Sequence, residues 1–75
     1  MAVEELTFSL ALPAQRWLRF YQGTARAVIV RAHDGRTVQF PAHHLRPFVS
    51  REGVFGEFRL RVDGNGRLIS LDRVG

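Results

Sequence analysis

Reactive side chains are few and dispersed in this chain. The histidines are His33, His43 and His44. A metal site needs two or three converging ligands and usually a carboxylate. His43 and His44 are neighbours in a turn, so their side chains are expected to diverge, with only His33 and Asp34 left to assist. That pattern suits packed or solvated histidines, and no metal is expected. Acid–base catalysis needs paired titratable groups in a pocket. Glu4, Glu5, Asp34, Asp63 and Asp72 instead fall at termini or turns, and cysteine is absent. Gly64-Asn65-Gly66 is too short for a phosphate loop and reads as a turn. No catalytic residue and no cofactor is expected, so the chain does not read as an enzyme.

Arginine and aromatic residues carry the remaining signal. All 11 basic residues are arginine, and the net charge is +4. Arginine forks onto phosphate and carboxylate, so an anionic partner fits. A base-composition bias in the source genome accounts for the arginine usage at least as simply. Arg59 and Arg61 point the same way from one strand, about 7 Å apart by strand rise, and Arg16 and Arg19 lie on the outer face of a helix. Together these four make a candidate anion or nucleic-acid strip. A sheet that binds nucleic acid usually adds exposed aromatics for stacking. Periodicity assigns Phe8, Trp17, Tyr21, Phe40 and Phe58 to the core, which leaves Phe20, Phe48 and Phe55. Those three phenylalanines form a candidate protein interface, for an unknown partner or a second copy. The plainer alternatives are an arginine-rich solvated face and a Phe48 that plugs one end of the sheet.

Periodicity also places the secondary structure that holds these groups. Leu6, Phe8, Leu10 and Leu12 alternate with smaller or polar residues, as in a half-buried strand. Pro13 suits a first helical position. Ala14, Trp17, Leu18 and Tyr21 then fall on one face of a helix, with Gly23 as its left-handed cap. Ala25 to Val30 is an apolar run suited to a strand covered on both faces, hence central in the sheet. Asp34-Gly35 signals a hairpin with two φ > 0 positions into Thr37–Phe40. Pro41 ends that strand, and Ala42–Arg46 forms one helical turn stopped by Pro47. Val54–Asp63 is a long strand with Phe58, Leu60 and Val62 inward, and a bulge at Gly56 reconciles Phe55 with that face. After Gly64-Asn65-Gly66 comes a last strand with Ile69 and Leu71 inward and Leu68 near the turn.

With 75 residues and 45% apolar content, the chain suits one small domain over residues 1–75, of a size that is marginal alone. No apolar run reaches the ~20 residues of a membrane span. Glu4 and Glu5 precede the apolar FSLALPA, where a signal peptide needs positive charge. A cytoplasmic location is therefore expected, without membrane association. The fold expected is α+β: a mainly antiparallel sheet of four to five strands, flat or curled toward a half-barrel, with one amphipathic helix packed on it, in the order β-α-β-β-(turn)-β-β.

Four segments add a resemblance: F-S-L near the start, F-Y-Q-G-T-A-R-A-V at Phe20–Val28, D-G-R-x-V-Q-F-P-A-x-H-L-R-P-F at Asp34–Phe48, and G-V-F-G-E-F-R-L at Gly53–Leu60. They resemble domain of unknown function 2835, a family of small uncharacterised bacterial proteins. The resemblance covers nearly the whole chain and implies a small single domain, with no catalytic residue or cofactor to carry over. Pro13 departs from it, standing where a better helix-capping residue is expected. The residues and the resemblance together favour a non-enzymatic binding or accessory module acting through protein contacts. The alternative is RNA or DNA binding through the arginine-rich sheet face.

Overall fold

The computed structural model describes residues 3–23 and 25–75, the side chain of Tyr21 excepted. Tyr21, expected on the core face of the helix, therefore lies outside the described side chains. The elements are β1 (Glu4–Pro13), α1 (Ala14–Tyr21), β2 (Ala27–Arg31), β3 (Thr37–Pro41), a 3-10 segment (Ala42–Phe48), β4 (Gly53–Val62) and β5 (Leu68–Arg73). The element order matches the expected one. The strands form two antiparallel sheets rather than one: β1-β4-β5, and the hairpin β2-β3.

The two sheets face each other across one core. Leu6 and Phe8 of β1 and Val54, Phe58 and Leu60 of β4 meet Val28, Val30 and Phe40 of the hairpin, with Ala32, Ala42 and Leu45 in the same cluster. Phe8 stacks on Phe58 at 5.7 Å between ring centroids and meets Phe40 across the sheets at 5.9 Å. Large aromatic side chains such as these carry much of the apolar burial that stabilises a small core.

β2 is not the central strand expected of it. Val28 and Val30 face the core, but Ile29 is 67% exposed and β2 pairs only with β3. The reason is ladder length. β1 runs in unbroken register with β4 from Glu4↔Val62 to Pro13↔Gly53, ten residues against the five of β2. That pairing takes one edge of β1 and leaves the hairpin to close over the sheet. A backbone bond from His33 N to Thr7 O, 2.8 Å, ties the hairpin tip to β1.

The same unbroken register removes the expected bulge at Gly56. Val54 and Phe58 are already in phase, and Phe55 points to the outer face. A register shift occurs instead between β4 and β5, where Arg61↔Ser70 and Val62↔Leu68 leave Ile69 as the extra residue. Ile69 is therefore turned out, 51% exposed, while Leu68 and Leu71 pack on the core. Sequence alternation cannot foresee this, because one added residue inverts the phase of the strand beyond it.

The turns also differ in detail from expectation. The hairpin closes through Ala32 N→Arg36 O and Gly35 N→Ala32 O. That is a three-residue loop in which only Gly35 needs positive φ, here 95°. Pro13 is the last residue of β1 and caps α1 without a side-chain bond. Ala14 N donates to Glu52 O instead, at 2.9 Å. At this corner a Cβ on Gly53 would lie 2.1 Å from Leu12 O, so only glycine lets the strand and helix backbones meet. Pro47 sits inside the 3-10 segment rather than stopping it. A segment built from i→i+3 bonds loses one bond to a proline and continues, and Val49 N→Arg46 O closes it.

Candidate functional site

Arg59 and Arg61 do project together from the outer face of β4, but they do not form a free cationic strip. Both reach Glu5 Oε1, Arg61 Nε at 3.0 Å and Arg59 Nε at 3.6 Å. Cross-strand pairing brings this about, since Glu5 lies opposite Arg61 and Asp72 opposite Arg59. Arg16 and Arg19 belong elsewhere. They line a groove with Leu12, Phe20 and Ala25 that includes neither β4 arginine.

Polar contacts also clamp the hairpin tip to the three-stranded sheet. His33 Nε2 lies 2.9 Å from Glu57 Oε2, and the Ser9 hydroxyl donates to the other carboxylate oxygen. These bonds, Ser9's first, hold the Glu57 carboxyl below the usual range. Arg36 donates to Asp34 at 2.7 Å and to Glu4 at 3.0 Å. The Arg36 side chain, then its backbone N–H, likewise lowers Asp34. His33 thus joins two sheets, a role that no sequence pattern indicates.

The expected aromatic interface does not assemble. Phe48 packs edge-on against Phe58, 5.3 Å between centroids, and so plugs the core. Phe55 lies opposite Ala11 on the other face of β4 and is 39% exposed. Phe55 and Phe58 are three apart on one strand and point to opposite faces, so Phe48 and Phe55 do not share a surface. Phe20 is half-buried beside Trp17, 5.7 Å between centroids. The helix face is correspondingly rotated. Trp17 and Phe20 turn toward the core, and Leu18, expected inward, is 49% exposed.

Trp17 and Phe20 form one wall of a cleft of about 580 Å³ between α1, the hairpin and the 3-10 segment. Arg26 enters from the α1–β2 connection, and Ala42 N donates to its carbonyl at 2.8 Å. Gln39, Phe40 and Pro41 contribute from β3, and His43 and Arg46 from the 3-10 segment. Residues i and i+3 eclipse in a 3-10 helix, which is why His43 and Arg46 reach the same mouth. The H-x-L-R spacing signals this pair only in a 3-10 register. Among the described residues, no Asp or Glu lines the cleft, and no ion pair involves Arg16, Arg26 or Arg46.

His43 and His44 do not diverge as expected; their rings lie 4.1 Å apart. Burial, then the neighbouring His43, lowers the pKa of His44 from its ordinary value. His44 is half-buried and packs beside His43. Among the described residues, no three His, Asp or Glu side chains converge on a common point.

Architecture and site together describe a small α+β protein: two facing antiparallel sheets, a short helix, and an aromatic cleft whose mouth is basic. The chain belongs to the family described as protein of unknown function (DUF2835), whose model matches residues 4–74. No curated protein and no solved structure matches it. Among the described residues, no helix is long and apolar enough to cross a membrane.

Proposed function

We propose that the protein is a non-enzymatic binding module, and that its ligand sits in the cleft between α1, the hairpin and the 3-10 segment. One observation carries this reading. The cleft combines an aromatic wall with Arg26, Arg46 and His43, and among the described residues no carboxylate answers them there. Among the described residues Arg36, Arg59 and Arg61 meet acidic partners, and Arg31, Arg51, Arg67 and Arg73 form no ion pair either, so it is the aromatic wall beside the charges that sets the cleft apart. A concave apolar site with a few convergent polar groups is the usual form of a ligand pocket. The ligand is anionic and carries a flat or apolar part. This cleft takes the place of the Phe20, Phe48 and Phe55 patch, of which Phe20 alone contributes.

The test is backbone amide chemical-shift mapping with two probes, hexaglutamate and a single-stranded octanucleotide, at low salt. Shifts from either probe that centre on Trp17, Phe20, Arg26, His43 and Arg46 support the reading. Shifts centred on Arg59, Arg61 or the β5 edge move the site and overturn it, as does silence from both probes.

A further inference from the structure

Resting on that reading, we infer that the cleft binds single-stranded nucleic acid, with a base stacked on the Trp17–Phe20 wall and the backbone held by arginines on both sides of it. The cleft does not end at Phe20. A second groove of about 230 Å³ adjoins it, sharing Phe20 and Ala25 in its lining and bearing Arg16 and Arg19. Cations therefore lie on either side of the aromatic pair: Arg26 and Arg46 in one groove, Arg16 and Arg19 in the other. Among the described residues, no carboxylate lines either groove.

This is the arrangement single strands require. A charged track follows the phosphates, and aromatic faces take bases without regard to sequence. Arginine matches phosphate bidentately. An acidic peptide would satisfy the arginines but leave the aromatic wall without a flat partner. A duplex keeps its bases stacked and cannot enter a concave cleft of this volume.

The sheet face, where sequence spacing points for nucleic acid, offers the single exposed ring of Phe55 and no aromatic pair among the described residues. The cleft supplies one, because α1 presents Trp17 and Phe20 at i and i+3. Arg59 and Arg61 become the control.

The experiment is fluorescence anisotropy of labelled octamers of U and dT across a salt series, with emission from Trp17, the single tryptophan, read in parallel. Binding with Trp17 quenching is expected, with affinity falling as salt rises at about −0.7 per phosphate contacted in the log–log plot. Arg26→Gln with Arg46→Gln should reduce that slope by about 1.4, two contacts at that value. Trp17→Leu should weaken binding about 5- to 160-fold, the range for losing one stacked base. Arg59→Gln with Arg61→Gln should leave affinity within about twofold. Thermal unfolding of each variant confirms that it is folded.

Single-strand binding that survives the Arg26/Arg46 change, or falls with the Arg59/Arg61 change, overturns the inference. So does tighter binding of a duplex octamer, or equal binding of uridine monophosphate. Hexaglutamate shifting the cleft amides while both octamers fail would overturn the inference and leave the binding-module reading standing.

Discussion

Arg59 and Arg61 on β4 and Arg26 and Arg46 at the cleft are the same side chain in opposite electrostatic settings. The first pair sits in a three-stranded sheet where each position faces a partner across the strand, and Glu5 meets both. The second pair comes from a connection and a 3-10 turn, and the residue bonded opposite Arg26 is the apolar Ala42. Antiparallel pairing fixes which side chains lie beside a charge, and on β4 it sets Glu5 beside both arginines; at the cleft no described carboxylate is set beside Arg26 or Arg46. The charge of Arg59 and Arg61 is thus partly committed to structure, whereas that of Arg26 and Arg46 meets no described carboxylate at the cleft.

Substitutions on both sides of this contrast should separate the two surfaces. The greatest loss should come from the body of the sheet. Phe58 is fully buried between Phe8 and Phe48, so Phe58→Ala should cost about 3–5 kcal/mol in urea unfolding. A loss under about 1 kcal/mol would mean that the two sheets do not share this core. Trp17 is only partly buried, so Trp17→Ala should cost less, about 1–3 kcal/mol. A cost as large as that of Phe58→Ala would make Trp17 a structural anchor rather than the wall of a site.

The arginine contrast itself is tested by Glu5→Gln, which removes the shared partner of Arg59 and Arg61. The expected loss is under about 1 kcal/mol and shrinks in high salt, because the groups are half exposed. Arg26→Gln with Arg46→Gln should change stability by no more than about 0.5 kcal/mol. A larger loss there, or none at Glu5, would collapse the distinction between the two surfaces.

The last effect is confined to acid. Glu57 and Asp34 titrate lower in the folded chain than their ordinary values of 4.5 and 3.8. Each therefore binds fewer protons folded than unfolded. Its contribution is present above the ordinary value and is lost as pH falls through the folded one. Glu57→Gln should flatten the acid limb of a stability–pH curve below about pH 4.5, while leaving the shape of the neutral region nearly unchanged. An unchanged acid limb would show that the Ser9–Glu57–His33 contacts do not form in solution.

Much of the frame was legible from local chemistry. The alternation of β1 and β4, the inward Phe8, Phe40 and Phe58, the cap at Gly23 (φ 81°) and both glycine turns come from side-chain period and backbone sterics. The site was less legible for a physical reason. Arg26 reads as part of a strand and Arg46 as a turn residue, while Arg59 and Arg61 stand out because residues two apart on one strand share a face. Spacing along one element is visible in a sequence. Convergence of a connection, a strand end and a 3-10 turn on one mouth is not.

Which segments become strands, where the chain turns and the burial of Phe8, Phe40 and Phe58 were settled by the amino-acid order, because they depend on neighbours within a few residues. The division of the strands into two sheets was settled only in three dimensions. So were the outward turn of Ile69, the inward turn of Phe20, and the choice of which arginines meet a carboxylate. Those outcomes depend on which strands pair and in what register. The ladder between β1 and β4 joins Glu4 to Val62 and Pro13 to Gly53, separations along the chain over which local pattern carries no information.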